Sequence, residues 1–400
     1  MDFPYSRLRR WPDVEADNLQ AHDATDLLLV ERALALGIDG RGVAVIGDDY
    51  GAITLALTSA GLDGVRVHQD LATGRRALAR NAEELGLSGF SSHELDATLL
   101  DGARLVLLQL PKALAELDEI ADAVARWAAP DVVLIAGGRV KHMTIAQNEV
   151  LGRRFADVQA QRAERKSRLV VASEPRPVPS EPPFPVTAQH DALTLVAHGG
   201  AFAGAKLDIG TRLLLEVLGI DGSRLSMNAP DPTGSAPKAA DRADACCVVN
   251  DDGSSPRPTV VDLGCGTGAL AVSYALRHPH ARVIATDRSA AAVISARATV
   301  AANGVADRVA VMHDDAGSEL SDASADVVLL NPPFHLGSSV HTGAATRLFE
   351  AAARILRPGG ELFTVYNSSL GYRAELTRLV GATEQLERTP KFTVTRSIRR

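Results

Sequence analysis

The stretch Val260-Val261-Asp262-Leu263-Gly264-Cys265-Gly266-Thr267-Gly268 decides the fold of the second half of this 400-residue chain. Its apolar start predicts a buried strand, and its three glycines predict a tight turn into a helix that begins at Ala269. The next predicted strand, 281–286, is closed by Asp287. Ligands of parallel α/β sheets bind at the carboxyl ends of strands, and glycine lets them approach the backbone closely.

Strands and helices alternate along the whole chain. In the first half the predicted strands are 42–47, 64–70, 103–110 and 131–136, and the predicted helices are 23–36, 51–57, 72–85 and 113–128. In the second half further strands are predicted at 308–312, 325–330, 361–366 and 392–396, and helices at 269–277, 290–303, 342–356 and 372–380. Such alternation indicates an α/β fold with a parallel sheet in each half.

The two halves repeat the same features. Gly47 and Gly264 end the first strands, and Asp70 and Asp287 end the second strands at the same interval. The segment ARLVLLQLPK in the first half matches ADVVLLNPPF in the second. Chance likeness between two generic α/β sheets is the alternative explanation. We interpret the match as a duplication that produced two tandem doubly wound domains.

The first half lacks the features that would make a site. Asp49 stands where the second half has Gly266, so bulk and charge replace an open backbone. Gln109-Leu110-Pro111-Lys112 stands in the place of Asn331-Pro332-Pro333-Phe334. We therefore expect the first domain to be degenerate, keeping the fold without the chemistry.

Composition sets the class of protein and the domain boundaries. Apolar residues make up 46% of the chain, enough for a sizeable core, and the net charge of −7 leaves any nucleic-acid binding to local patches. The basic segment 139–168 is either a solvated helix face or a contact for phosphates. Clustered prolines predict an extended connector at 173–190 between domains 1–172 and 191–400, and residues 222–257 predict a mobile insertion.

Targeting and metal-binding signals are missing from the sequence. The N-terminus has no apolar signal region, and no apolar run is long enough to cross a membrane. Three cysteines, Cys246, Cys247 and Cys265, have no zinc-like spacing. We expect a cytoplasmic protein that binds no metal and no membrane.

Asn331-Pro332-Pro333-Phe334-His335 follows the predicted strand 325–330 and so lies at its carboxyl end. Asn-Pro alone is typical of an ordinary turn. The glycine turn with Ala269 also fits the dinucleotide fingerprint of a nicotinamide dehydrogenase, with Asp287 as its ribose-binding acid. Against that alternative, Asp262 could hold an ammonium group that a dinucleotide lacks, and NPPF has no role in hydride transfer.

Together these motifs resemble the class I S-adenosylmethionine-dependent methyltransferases, whose domains have a Rossmann-like fold. The NPPF form is similar to enzymes that methylate exocyclic or amide nitrogen. Phe202, Leu207-Asp208-Ile209-Gly210, the glycine turn, NPPFH and the terminal Lys391-Phe392-x-Val394 occur in the order of the ribosomal RNA guanine-N2 methyltransferases. That family carries a degenerate methyltransferase-like domain, with a structural or RNA-recognition role, before the active one. The insertion 222–257 departs from its pattern.

The resemblance implies a cofactor, a partner and a set of site residues. The cofactor is S-adenosylmethionine, and the partner is ribosomal RNA or a ribosomal subunit, bound by a monomer. Expected cofactor contacts are Asp262, Gly264, Cys265, Gly266, Gly268, Asp287, Arg288, Asp315, Ala316 and Asn331. Expected catalytic residues are Asn331, Pro332, Pro333 and Phe334, and expected substrate contacts are Phe202, Phe334, His335 and Lys391.

The chemistry of an amino group explains the NPPF stretch. The Asn331 side-chain oxygen and the Pro332 carbonyl can accept both hydrogens of the guanine amino group, which orients its lone pair. The prolines fix the backbone, and Phe334 can stack on the base. His335 is either a proton relay or a merely packed histidine. The alternatives are a protein-glutamine or DNA-adenine methyltransferase of the same fold, and a non-enzymatic RNA-binding factor.

Overall fold

Two seven-stranded sheets carry the fold, one in each of two units of the chain. The structure is a computed structural model that describes residues 3–220, 257–333 and 342–400. The first unit comprises Met1–Pro185 and His198–Gly200, and the second comprises Val186–Ala197 and Ala201–Arg400.

The first unit alternates strands and helices up to its fifth strand. Its strands are β1 (Val43–Ile46), β2 (Val65–His68), β3 (Phe90–Ser92), β4 (Leu105–Gln109), β5 (Val133–Arg139), β6 (Phe155–Ala160) and β7 (Ser167–Pro175). Its helices are α1 (Ala24–Leu36), α2 (Ala52–Ser59), α3 (Ala72–Leu85), α4 (Ala97–Leu100), α5 (Leu114–Trp127) and α6 (Ile145–Arg154). The strand order is β3-β2-β1-β4-β5-β7-β6, and β7 runs antiparallel to both of its neighbours.

The second unit opens with a two-stranded hairpin and a helix, then builds its own sheet. Its strands are β8 (Val186–His190), β9 (Leu193–Ala197), β10 (Thr259–Leu263), β11 (Arg282–Asp287), β12 (Val309–His313), β13 (Ala325–Leu330), β14 (Leu356–Asn367), β15 (Gly381–Arg388) and β16 (Phe392–Arg399). Its helices are α7 (Ile209–Leu218), α8 (Ala269–Arg277), α9 (Ala290–Ala302), α10 (Thr342–Ile355) and α11 (Arg373–Leu379). The sheet order is β12-β11-β10-β13-β14-β16-β15.

Both sheets have the same topology. In each, the first strand of the series lies centrally and the fourth lies beside it, so the strand order reverses between β1 and β4 and between β10 and β13. In each, an antiparallel strand inserts between the fifth strand and the edge strand. This repetition confirms the prediction of two tandem doubly wound α/β domains.

The cores lie on both faces of each sheet. In β1, Val43 and Val45 belong to one apolar cluster, whereas Ala44 and Ile46 belong to another. In the second unit Val260 and Val261 divide in the same way. Successive strand residues point to opposite faces, so a strand covered by helices on both sides is apolar at every position. This explains why these strands were visible as continuous apolar runs.

The basic segment 139–168 is not a single helix face, which was one of its two interpretations. It contains the end of β5, helix α6 and the β6–β7 hairpin. Several of its cations are held by acids of the first unit: Arg153 by Asp118, Arg154 by Asp122 and Arg165 by Glu31, at 2.8–2.9 Å. Part of the apparent basic patch therefore serves the fold of the first unit.

Three other expectations differ from the structure or fall outside it. Both ends of the predicted connector lie in strands, 173–175 in β7 and 186–190 in β8, and only 176–185 lacks helix or strand. The predicted strand 392–396 is present as β16 but is longer, since it runs to Arg399. The predicted insertion, apart from residue 257, lies outside the described residues, as do Cys246 and Cys247. Every helix that the structure describes is too short or too polar to span a bilayer.

Candidate active site

A cavity of about 490 Å³ opens at the carboxyl ends of the central strands of the second unit. This volume lies in the range of small-molecule sites. Its lining residues come from the segment before α7, the glycine turn, the ends of β11 and β12, and the segment after β13: Phe202, Ala203, Lys206, Asp208, Thr211, Gly264, Cys265, Gly266, Thr267, Ala269, Leu270, Asp287, Arg288, Asp314, Asp315, Ala316, Asn331, Pro332, Pro333, Ala344, Arg347 and Leu348. The cavity therefore stands at the point where the strand order reverses.

The glycine turn leaves open space where side chains would stand. Gly264 and Gly266 have φ of +78° and +54°, and a Cβ at either position would meet no atom within 4 Å. Gly268 has a different reason to be glycine, because its Cβ would lie 3.2 Å from the Ala296 Cβ of α9. Gly264 and Gly266 thus form a cradle in the cavity wall, whereas Gly268 permits close helix packing and is not part of that wall.

Asp287 holds the turn in place from the end of β11. Its carboxylate accepts the Gly266 N–H at 2.9 Å with one oxygen and the Ser289 N–H at 2.9 Å with the other. A carboxylate accepts about four hydrogen bonds, so these two are compatible with further donors. The side chain of Asp287 therefore combines a structural role with a place in the cavity wall.

Asp315 and Ala316 line the cavity beyond the end of β12, as expected from the sequence. Asp315 is nearly buried and forms an ion pair with Arg347 of α10. Nothing in the sequence singled out Arg347, because it lies on a helix whose pattern is ordinary and amphipathic. The pair brings one anion and one cation together in the same wall.

Asp262 lies behind the glycine turn and does not line the cavity. It is 1% exposed, one of its oxygens accepts the Ala271 N–H at 2.9 Å, and the other has no partner in the described parts of the chain. Burial, opposed by that hydrogen bond, raises its pKa to about 7. The expected direct contact of Asp262 with a ligand's ammonium group therefore does not fit this position; the carboxylate fixes the start of α8 instead.

Cys265 is buried in the glycine turn and lines the cavity. Burial and the neighbouring Asp287 raise the pKa of its thiol well above the usual value. The thiol is therefore neutral near pH 7 and contributes shape to the wall, not charge or nucleophilicity.

Asn331 stands at the end of β13 with its amide group tied down. Its Nδ2 donates to Asp208 Oδ2 at 3.1 Å and to Thr211 Oγ1 at 2.9 Å. Its Oδ1 is buried and has no hydrogen-bond partner among the described residues. Pro332 and Pro333 follow it in the cavity wall. The strand end thus holds one unused acceptor, on a residue that lines the same cavity as the glycine turn.

The remaining expected residues fall in three places. Phe202 and Arg288 line the cavity, and Phe202 is 65% exposed. Lys391 is exposed and is not part of the cavity wall; its Nζ lies 5.6 Å from the ring centroid of Phe392. Phe334 and His335 lie outside the described residues. Among the residues described, no cluster of three or more His, Cys, Asp or Glu side chains could hold a metal ion.

Sequence reasoning assigned no role to Lys206, Asp208, Thr211, Thr267, Asp314 and Arg347, all of which line the cavity. One signal was available, because Asp208 precedes an apolar helical run and so predicts a helix N-cap. The structure shows that cap, with Asp208 Oδ2 accepting from Gly210 at 2.9 Å and Thr211 at 3.3 Å. The second use of this carboxylate, toward Asn331, has no local signal.

Comparison with known proteins gives matches over nearly the whole chain. Residues 249–396 match the family model described as Methyltransferase small domain, and residues 2–176 match the RLMG N-terminal domain. The chain is 34% identical to ribosomal RNA large subunit methyltransferase G of Pseudomonas paraeruginosa, over 98% of this chain and 97% of that protein. It is 32% identical to the protein of the same name from Streptomyces avermitilis, over 98% of this chain and 97% of that protein.

A solved structure shares the fold of the chain. The T. thermophilus 16S rRNA N2 methyltransferase RsmC, in complex with AdoMet and guanosine, superposes with a TM-score of 0.69 at 23% sequence identity. The match covers 95% of this chain and 92% of that protein. Both α/β units therefore have counterparts in one known architecture.

Proposed function

The chain belongs to the family of the ribosomal RNA large subunit methyltransferase G proteins, and from that premise we propose that it methylates the exocyclic N2 amino group of a guanine in large-subunit ribosomal RNA, with S-adenosylmethionine as methyl donor. The name of the relatives supports the large subunit as the source of the RNA. The single observation that carries the chemistry is the buried, unpartnered Oδ1 of Asn331, whose residue lines the cavity.

The shape of the cavity and the polar groups in its wall fit S-adenosylmethionine. The cradle at Gly264 and Gly266 leaves room for a ligand against backbone that carries no side chain. We assign Asp287 to the ribose hydroxyls and Asp315, with Ala316, to the adenine amino group. When bound, the cofactor would supply a methyl group on a positively charged sulfonium, whose sulfur leaves readily as a neutral thioether.

The residues of this chain hold and orient the amino group that is methylated. Asn331 Oδ1 and the Pro332 carbonyl each accept one of its hydrogens, which directs the nitrogen lone pair into the cavity. These acceptors also stabilise the positive charge that develops on nitrogen. Because Asp208 and Thr211 already engage Nδ2, the amide presents oxygen and not nitrogen to the cavity.

The rim residues receive the base and the RNA. Phe202 exposes a large apolar side chain at the cavity, which suits stacking on an unstacked base. We assign Phe334 to the same stacking and Arg288 to the cofactor side of the cavity. Lys391, which is not part of the cavity wall, is a proposed RNA contact, and so is His335, which lies outside the described residues.

Methyl transfer to unmodified RNA tests the proposal. With labelled S-adenosylmethionine and a transcript of large-subunit ribosomal RNA, we expect label in N2-methylguanosine and a loss of roughly 100-fold or more in kcat for Asn331→Ala. Gln109→Ala changes the matching amide of the first unit and should leave transfer intact.

Two results would refute this assignment. One is undiminished transfer by Asn331→Ala, which would remove the amide from the mechanism. The other is label in a peptide glutamine or in DNA adenine instead of guanosine, detected by mass analysis of digested products. Either substrate offers a planar amino group that the same acceptors fit, so the product and not the geometry decides between them.

A further inference from the structure

A carboxylate and a hydroxyl from the start of α7 hold the Asn331 amide from behind. We propose that Asp208 and Thr211 are positioning residues, which set the direction and the acceptor strength of Asn331 Oδ1 for the amino substrate. This inference rests on the proposed function, since it concerns how the same amide orients the accepting nitrogen.

Hydrogen-bond chemistry makes the orientation of Asn331 unambiguous. A carboxylate has no proton to donate, so only the Nδ2 end of an amide can face Asp208 at 3.1 Å. Thr211 Oγ1 accepts from the same nitrogen at 2.9 Å, which uses both of its hydrogens. Oδ1 must then face away from the Asp208 carboxylate and the Thr211 hydroxyl, and it is the atom left buried without a partner in the described structure.

The carboxylate also affects the strength of the acceptor. Hydrogen bonds that share an amide group polarise one another, so donation from Nδ2 to an anion increases the negative charge on Oδ1. That charge is favourable when a neutral amine becomes positively charged during methyl transfer. A carboxylate at 208 is therefore better suited than a neutral acceptor of the same length.

Packing at the start of α7 holds the arrangement together. Asp208 caps the helix with the same oxygen that receives the Asn331 amide. A Cβ on Gly210 would stand 3.1 Å from that oxygen, 3.3 Å from the Phe392 ring and 3.5 Å from Asn331 Oδ1. A larger residue at 210 would require these neighbours to shift by a few tenths of an ångström, so glycine favours this close approach of α7 to the end of β13.

The first unit has a similar hydrogen bond between the end of a strand and the start of a helix. Gln109 ends β4, as Asn331 follows β13, and its Nε2 donates to Asp26 at 2.5 Å. Asp26 stands three residues after the α1 cap Asp23, as Thr211 stands three residues after Asp208. The contact between strand end and helix start thus belongs to the duplicated fold, and in the second unit it holds the amide of a residue that lines the cavity.

The test separates positioning from capping. Asp208→Ser keeps an N-cap oxygen but is too short to reach Asn331, and Thr211→Val removes the hydroxyl while keeping the shape. In full-length protein carrying both changes we expect kcat for unmodified RNA to fall roughly 10- to 100-fold. The Kd for S-adenosylhomocysteine and the RNA KM should stay at their wild-type values.

Two controls complete the test. Asp208→Asn still offers a neutral oxygen to Nδ2 and to the helix, so its kcat should lie between those of the double variant and the wild type, because the orientation is kept and the charge is lost. Asp23→Ser makes the matching cap change in the first unit and should change Tm by as much as Asp208→Ser does, without any change in kcat.

Three outcomes overturn the proposal: a wild-type kcat in the double variant, an Asp208→Asn enzyme as slow as the double variant, or a fall in kcat matched by equal losses in cofactor affinity and Tm. Failure of the proposed function is distinct, because it shows as full activity of Asn331→Ala or as a product other than methylguanosine.

Discussion

Gly266 shows at the residue scale how a backbone conformation and a cavity depend on the same missing side chain. Its φ of +54° lies in the left-handed region, where a Cβ costs roughly 1–2 kcal/mol. Its open surroundings mean that a Cβ would meet no protein atom and would instead occupy the cavity. Strain and loss of space are therefore separable by experiment.

We predict that Gly266→Ala weakens binding of S-adenosylmethionine by at least roughly tenfold, because about 1.4 kcal/mol of lost contact suffices for that. Gly304→Ala is the matched control, since Gly304 has φ of +64°, open space around its Cβ and a place outside the cavity wall. Both variants should lose similar stability, and titration calorimetry should show weaker binding only for Gly266→Ala. Equal affinities would contradict the cradle.

At the scale of elements, helix α9 pairs with the edge of the β8–β9 hairpin through side chains. Thr299 Oγ1 accepts the Val196 N–H at 3.0 Å and donates to the Val196 carbonyl at 3.2 Å. Asn303 makes the same pair of contacts with the Thr194 backbone, at 3.0 and 2.7 Å. Two side chains thus replace a neighbouring strand, so that the backbone groups of β9 are satisfied.

We predict that Thr299→Val destabilises the second unit by about 1–3 kcal/mol, because the Val196 peptide groups lose their partners in a buried place. Thr299→Ser keeps the hydroxyl and loses only a methyl group. It should therefore destabilise the second unit less than Thr299→Val does, although serine is more polar than valine. Hydrogen exchange followed by mass spectrometry should show faster exchange in residues 193–197 for the valine variant. A more stable valine variant would show that packing, not hydrogen bonding, holds this edge.

At the scale of the whole molecule, buried acids make the first unit sensitive to pH. Burial, with a contribution from Asp48, raises the pKa of Asp26 to about 8, and burial also raises the pKa of Asp48. The folded unit therefore keeps protons that the unfolded chain releases near pH 4. The resulting stabilisation is complete below pH 4 and is lost as pH rises toward and through 8.

We predict that the unfolding free energy of the first unit falls between pH 4 and pH 8, and that Asp48→Asn makes the fall shallower. The asparagine keeps an acceptor for the Thr54 N–H, which Asp48 now binds at 2.7 Å, and removes one negative charge near Asp26. Trp11 and Trp127, the two tryptophans of the chain, both belong to this unit, so denaturation followed by their fluorescence reports on it alone. An unchanged pH slope in the variant would disprove the coupling between the two acids.

Ribosomal RNA carries dense negative charge, whereas this protein has a net charge of −7. Lys141, Arg162 and Lys166 are exposed, and no ion pair in the described parts of the chain involves them. They are the cations of segment 139–168 that remain available for phosphates. Arg153, in the same segment, is held by Asp118.

We predict that Lys141→Ala combined with Lys166→Ala weakens RNA binding and reduces the slope of log K against log salt by up to about two. Arg153→Ala, whose guanidinium is already paired with Asp118, should leave that slope unchanged. Filter binding at several salt concentrations measures both. Equal slopes in all three proteins would exclude this surface of the first unit from RNA contact.

Helices and central strands were predictable because their patterns are local. Helix α3 and strand β13 have the predicted bounds, since 3.6-residue periodicity and continuous apolar runs need no knowledge of the rest of the chain. The strands β6 and β15 were missed because each lies at a sheet edge and carries polar residues. An edge strand has water on one side, so its sequence resembles a loop.

The features of the site also fall into two groups, those set by local sequence and those set by tertiary packing. The sequence by itself determined two α/β domains, the glycine turn and the Asn-Pro-Pro stretch at a strand end, because each depends on neighbouring residues. Only the tertiary structure decided that Asp262 supports α8 from behind the cavity and that Arg347 joins Asp315. It also decided that Asp208, 123 residues before Asn331, accepts a hydrogen bond from the Asn331 amide nitrogen. Contacts between distant segments are set by how the elements pack, and no local pattern records them.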